Sequence, residues 1–358
     1  MSETPSAHSP LRLVHVGTGG WGRSWMRVLQ SSPDVTPVAW VDPYPESLAA
    51  AVKEGAHEGA CFPSLSDALN AVEADAALVT TSVAGHVPVA VEALSAGLHV
   101  LVEKPFAMTL REARSAVDAA RTASKVLAVS QNYRHHPAPR FVQRLVNEER
   151  VGTIGTVEID FRRDFARTLP TGAGHHTWPQ PLLVDMAIHH FDLLRMVLGR
   201  EPLRIRCHAF NPPWSPYKDP AAAYLTIEFE GGVMVDYRGS WASSGPVTPW
   251  AGEWKMDFSN GEIAWSSRGD DPAKPERVAV RGLKGNARAV RLPAVPHLDR
   301  AGTLADFVHA IRTGREPETS GRDNLASLAL SLAAVKSAQE DRTVDLSEFL
   351  SPSSEVLV

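Results

Sequence analysis

The pattern Gly17-x-Gly19-x-x-Gly22 follows an apolar run at 11–16 and opens a helix-like stretch at about 23–30. Few local sequences restrict a fold as strongly. In a strand–turn–helix of this kind the first glycine permits a tight turn and the second lets backbone approach a pyrophosphate. The third lets the helix pack close to the strand. Phosphates then sit at the positive end of the helix dipole, with Gly20 and Trp21 completing the turn. Asp42 stands 20 residues beyond Gly22, at the end of a second expected strand at 38–41. A carboxylate there binds ribose hydroxyls and repels a 2′-phosphate. Asp42-Pro43-Tyr44-Pro45 offers no arginine to receive such a phosphate, so NAD is favoured over NADP as the expected cofactor. Arg23 is a nearby cation within reach of the phosphates.

The same alternation continues. Helices are expected at 45–54, 67–72 and 87–96, and from an N-cap at Thr109 to 120, with strands at 76–80, 99–102 and 126–130. Such alternation makes parallel sheet with right-handed crossovers. After about residue 150 the character changes. Strands at 156–163, 204–209, 223–229, 233–240, 253–259 and 262–265 are joined by short turns, with hairpin signals at Gly231-Gly232 and Asn260-Gly261. Leu225, Ile227 and Phe229 fall on one face, Tyr224, Thr226 and Glu228 on the other. A helical segment at 182–198 precedes most of this sheet, and two more, at 304–312 and 324–340, close the chain. The fold class is therefore α/β: an N-terminal doubly wound Rossmann sheet, then an α+β domain with a large, mostly antiparallel sheet. The expected divisions are a disordered lead-in at 1–10, a dinucleotide-binding domain at 11–132 and a second domain at 133–358. The second would bind substrate and make oligomer contacts, its final helices packing back toward the first domain.

Composition narrows the partners. A chain of 358 residues exceeds what one core usually serves. A net charge of −5 with no Lys/Arg run argues against nucleic acid. No apolar run is long enough to span a bilayer; 325–335 is short and broken by serines. The polar, Pro/Ser-rich start does not read as a signal peptide. Cys61 and Cys207 match no metal or redox spacing, which suits a reducing compartment, so the cytoplasm is expected. Paired histidines occur at 135–136, 175–176 and 189–190. Adjacent residues rarely ligate one ion from a helix, and no metal is expected.

Val79-Thr80-Thr81-Ser82, His86 and the stretch from Gly97 through Glu103-Lys104-Pro105 form one set of motifs; Asp185-Met186-Ala187-Ile188-His189-His190-Phe191-Asp192 forms another. With the closing Gly314-x-x-Pro317 and Ser320-Gly321-x-Asp323, these resemble the glucose–fructose oxidoreductase / inositol dehydrogenase / rhizopine catabolism family over nearly the whole chain. The resemblance implies hydride transfer between nicotinamide and a secondary hydroxyl or ketone of a sugar, polyol or sugar derivative, in a homodimer or homotetramer. It implies His189 as general base in oxidation, Asp185 as the residue that orients substrate, and Lys104 as partner to both. By the same resemblance Thr80, Thr81, His86 and Glu103 are expected near the cofactor. Ala187 stands where the family usually has glycine, and Pro179-Gln180-Pro181 precedes it; the extra methyl would narrow the space near the nicotinamide.

The residues support this chemistry on their own terms. Oxidising an alcohol needs a hydride acceptor and a base for the hydroxyl proton. Lys104 sits at the carboxyl end of a parallel strand, where ligands bind. A cationic nicotinamide nearby would disfavour its ammonium form. Asp185, His189 and Asp192, at i, i+4 and i+7, would share one helix face, and imidazole titrates near working pH. The alternative for His189 is a core histidine bonded to Asp192. His190 lies about 100° further round the helix and is grouped with Tyr133, Arg134 and Trp178 as substrate contacts. For Tyr133 and Arg134, packing is an equal alternative; Trp178 suits stacking on a sugar face. Two other functions stay open. One is an enzyme that retains NAD and cleaves a glycosidic bond by transient oxidation. The other is a non-catalytic nucleotide-binding regulator, against which the retained Lys104, Asp185 and His189 count.

Overall fold

Six short parallel strands build the first sheet: β1 Leu11–Val16, β2 Val35–Val41, β3 Cys61–Phe62, β4 Ala76–Val79, β5 His99–Val102 and β6 Leu127–Val129. Their order is β3-β2-β1-β4-β5-β6, the doubly wound arrangement in which strand order reverses beside β1 and ligands sit at the carboxyl ends. The computed structural model describes residues 9–169, 174–271 and 275–350, so the lead-in read at 1–10 falls outside them up to position 8. All four residues of β4 are buried, as expected for strands covered on both faces. β3, only two residues long, has no periodicity for sequence reading to detect. Leu13, Trp25, Leu29, Trp40, Leu78 and Leu101 pack together with Leu304, Phe307 and Val308 of the helix Asp299–Thr313. The chain divides into two units. The first runs up to Met108 and adds Glu112–Ser130 and Arg300–Asp323; the second holds Thr109–Arg111, Gln131–Asp299 and the chain from Asn324 on.

The second unit contains a nine-stranded sheet. Its strands are β7 Ile154–Arg162, β8 Pro202–Phe210, β9 Ala222–Phe229, β10 Val233–Ser240, β11 Glu253–Phe258, β12 Gly261–Ser266, β13 Arg277–Gly282, β14 Arg288–Ala289 and β15 Val344–Asp345. The order is β14-β13-β12-β11-β7-β10-β9-β8-β15. Among the described strands β7 and β10 pair in parallel, and the other pairs are antiparallel. Alternate residues of β10 and β11 are buried. Trp254 and Trp265 are cross-strand partners whose rings stack with centroids 4.5 Å apart. The outer face carries ion pairs such as Arg238–Asp160 at 2.6 Å and Arg204–Glu228 at 2.5 Å. The sequence reading did not anticipate β13, β14 and β15, which occupy or approach the sheet's edges.

The segment read as one helix at 182–198 is two. Pro181–Met186 is a π-helical stretch, entered from Gln180 in a left-handed conformation, and the α-helix proper is Ala187–Leu198. Proline at the first position removes an N–H, and the Leu183 carbonyl accepts a hydroxyl bond from Ser331 at 2.7 Å. The wider turn changes the angular step between Asp185 and His189, so the single α-helical face drawn through Asp185, His189 and Asp192 does not form as expected. All twelve residues of Ala187–Leu198 are buried, so its four polar side chains must find partners inside the protein.

Two fully buried histidines make stability pH-dependent. Burial pushes the His15 imidazole down to about 3, and burial pushes His190 down to about 4 against a bond to the Trp250 carbonyl. Between these values and the free imidazole value of about 6.5, only the unfolded chain takes up these protons. Stability therefore falls as pH drops through that window. Thermal melts should show a midpoint that declines from pH about 6.5 toward 4. A His15→Gln variant, lower in midpoint overall, should show a shallower decline; an unchanged slope would refute this origin.

Candidate active site

The glycine turn follows β1 and is held from the neighbouring strand. Gly17 has φ of +98°, and a Cβ there would lie 2.6 Å from the Thr80 backbone. A Cβ on Gly22 would lie 1.8 Å from the Gly17 carbonyl oxygen. Around Gly19 and Gly20 the space is open, with nothing within 4 Å of a built Cβ. The Thr80 hydroxyl donates to the Gly17 carbonyl at 2.6 Å, and His15 Nε2 lies 2.8 Å from the same hydroxyl oxygen. With the threonine proton committed to Gly17, the imidazole Nε2–H is the donor in that second bond. Asp42, 5% exposed, accepts from the Thr18 N–H at 2.8 Å and the Tyr44 N–H at 3.0 Å. The helix Gly20–Ser31 has no side-chain cap at Gly19, so its first N–H groups have no acceptor from a capping side chain. An open turn, an uncapped helix start and a buried carboxylate beyond the second strand fit a dinucleotide. Arg23, expected near the phosphates, is paired with Glu54 at 2.9 Å.

Glu103, Lys104 and Pro105 follow β5 and are fixed on both sides of the lysine. The Glu103 carboxylate, 3% exposed, accepts from Trp25 Nε1 at 2.7 Å and the Lys104 N–H at 3.0 Å. The Lys104–Pro105 peptide is cis. His86 Nδ1 lies 2.8 Å from the Pro105 carbonyl, and Nε2 lies 3.2 Å from the Thr81 carbonyl. Burial is the main cause that lowers its pKa; the neutral ring has a single N–H, which at the shorter distance donates to the Pro105 carbonyl.

In the second unit His189 stacks on Tyr133, rings parallel within 2° and centroids 4.0 Å apart. Arg268 lies over the Tyr133 ring at 4.3 Å and pairs with Asp299 at 2.8 Å, and Asn132 also bonds Asp299. Asp192 is held by Arg134 through two bonds of 2.6 Å and by Ser327 at 2.8 Å. Asp185 lies 3.3 Å from His175 Nε2, whose Nδ1 lies 3.2 Å from the Tyr217 hydroxyl. Burial, then the charges of Asp185 and Asp164, push the Tyr217 phenol above its ordinary value. It keeps its proton and donates it to His175, which leaves Nε2–H to donate to Asp185. Trp178, 44% exposed, lies 5.2 Å from His175 ring to ring. Among the described residues no cluster of three or more His, Cys, Asp or Glu could hold a metal, and no helix is long and apolar enough to cross a membrane.

Residues 11–131 match the model of an oxidoreductase family with an NAD-binding Rossmann fold, and residues 140–287 match the GFO/IDH/MocA C-terminal domain. The chain belongs to the GFO/IDH/MocA oxidoreductase family. It is 27% identical to the D-apiose dehydrogenase of Paraburkholderia graminis over 344 residues, covering 92% of this chain and 88% of that one. It is 26% identical to the inositol 2-dehydrogenase of Rhizobium meliloti (strain 1021) over 359 residues, covering 94% and 99%. Its fold resembles the crystal structure of an inositol dehydrogenase homolog from Azotobacter vinelandii, complexed with NADH and myo-inositol. The TM-score is 0.79 at 20% identity, covering 94% of this chain and 98% of that one.

Within this GFO/IDH/MocA chain three sequence readings need revision. His190 is fully buried, with its nitrogens 3.1 Å from the Tyr237 hydroxyl and 3.0 Å from the Trp250 carbonyl. It packs the helix and is not placed as a substrate contact. Arg134 is 6% exposed with its fork on Asp192, so packing is the reading that survives. Asp192 is taken by Arg134 and Ser327, while His189, read alternatively as a core histidine bonded to Asp192, stacks on Tyr133. His175, read only as half of a histidine pair, proves to be the partner of Asp185. Its signal in the sequence was weak: a histidine ten residues before an aspartate, across a segment with no periodicity. Ala187 is fully buried.

Removing Asp192 should show what the buried pair is worth. Asp192→Ala leaves the Arg134 guanidinium uncompensated and should cost about 3–5 kcal/mol in urea unfolding. A loss below about 1 kcal/mol would mean that the arginine finds water or another acceptor.

Proposed function

We propose that this protein oxidises a secondary hydroxyl of a sugar, polyol or sugar derivative with NAD, or reduces the corresponding ketone. The observation that carries the reading is the braced Glu103-Lys104-Pro105 turn at the carboxyl end of β5, with Trp25 holding its glutamate and His86 its proline carbonyl. Such bracing costs buried hydrogen bonds for an otherwise ordinary lysine loop and is what placement of one side chain requires. Bound NAD would supply the hydride acceptor, held at Gly17–Gly22, Thr80 and Asp42. In this proposal His189 takes the hydroxyl proton during oxidation, and Lys104 assists with proton movement. Asp185, oriented by His175, accepts a substrate hydroxyl. The aromatic surround of His175 and the half-exposed Trp178 suit a ring with one apolar face and many hydroxyls. The relatives named for inositol and apiose support the same class.

Two measurements test it. Lys104→Ala should lower kcat by two or more orders of magnitude, the span of general acid–base assistance being about 10²–10⁴, while NAD binding measured calorimetrically changes little. Unchanged turnover on a substrate found by screening sugars, inositols and glycosides for NADH formation would remove Lys104 from the mechanism. The choice of NAD over NADP rests on Asp42, a buried carboxylate just beyond β2, where an acidic group would bind ribose hydroxyls and repel a 2′-phosphate. Asp42→Ser should raise kcat/KM for NADP relative to NAD by about tenfold or more, equivalent to about 1.4 kcal/mol. A native preference for NADP would overturn it.

A further inference from the structure

We propose that Arg300 is a ligand of the cofactor's pyrophosphate, a role that rests on the dinucleotide reading of the glycine turn. Arg300 lies 278 residues beyond Gly22 in sequence, but the helix Asp299–Thr313 returns to the first unit and brings it to the turn. Its guanidinium lies over the Trp21 ring at 4.2 Å and within 5.6 Å of the Trp25 ring. Trp21 is the last residue before Gly22 and is 53% exposed.

Three features mark this arginine as a binding group. Its charge is not consumed: among the described residues no carboxylate pairs with it, although the side chain is partly buried. By contrast Arg23, the sequence's candidate for the same task, is neutralised by Glu54. Its orientation is fixed, because Nη1 donates at 2.6 Å to Ser24 Oγ, and that hydroxyl gives its own proton to the Trp21 carbonyl. Its donors remain available. Stacking on indole uses the face of the guanidinium and leaves the N–H edge for an anion, and only one of five donors is spent on Ser24. A fixed cation without a counter-charge, beside an uncapped helix start and a turn with open space over Gly19 and Gly20, is matched by two linked phosphates. Lysine could keep the charge but not the flat stack.

Titrations of the full chain with NAD+ and with adenosine, followed by calorimetry and by tryptophan fluorescence, test this. Arg300→Ala and Arg300→Gln, the second keeping the stem and a planar end, should each weaken NAD+ by tenfold or more. Adenosine, which has no phosphate, should bind as before, and the salt dependence of NAD+ binding should become shallower. Arg300→Lys should recover part of the loss. Equal weakening of NAD+ and adenosine would reduce Arg300 to packing on Trp21, and unchanged NAD+ affinity in the folded variants would refute the proposal alone. Failure of the wild-type chain to bind NAD+ would overturn the dinucleotide reading as well.

Discussion

Among the glycines of the first unit Gly22 is the most confined: a Cβ there would collide with the Gly17 carbonyl oxygen at 1.8 Å. That contact sets how tightly the first helix returns on β1, and so where the turn between them opens. Thr80, from the end of β4, clamps the same carbonyl, and His15 in turn clamps Thr80. The turn is thus stitched by the protein's own groups across the point where strand order reverses. Trp25, on the helix that this contact positions, reaches Glu103. One backbone contact therefore governs both the phosphate cradle and the loop that carries Lys104.

The second unit follows a different logic. Its central helix, Ala187–Leu198, is buried on every side yet carries His189, His190, Asp192 and Arg195. Each charged group is answered: Asp192 by Arg134 and Ser327, Arg195 by Glu201 and Ser327. Networks of this kind add little net stability compared with an apolar core, but breaking one partner is costly. They fix rotation of the helix about its axis, and that rotation determines which way His189 faces.

The Rossmann sheet was legible because its signals are local: Gly17–Gly22, the β-branched runs and Asp42 each act within a few residues. The hairpins around Gly231 and Asn260 were legible for the same reason. What sequence reading could not reach depended on pairs distant in the chain. His175 meets Asp185 across a π-helical entry that helical spacing does not foresee. Ser327, which both Asp192 and Arg195 bond, comes from a helix beginning more than 120 residues later. Strand β15 is two residues that pair with β8 across 139 positions in sequence. Lys104, Asp185 and His189 were found through motif resemblance, since their spacing alone does not specify chemistry.

The helix Asp299–Thr313 gives the first unit a history as well as a core. Leu304, Phe307 and Val308 seal a sheet whose strands are all complete by Val129. On the ribosome the nucleotide-binding unit must wait, its apolar sheet face uncovered, while roughly 170 further residues are made, a matter of about 10–30 seconds at ordinary elongation rates. The order of synthesis thus places all of the second unit's strands but β15 before the completion of the first unit. Until then Leu13, Leu29 and Trp40 lack their cover from Leu304, Phe307 and Val308, and transiently exposed apolar surface of this kind is what makes folding intermediates prone to aggregate.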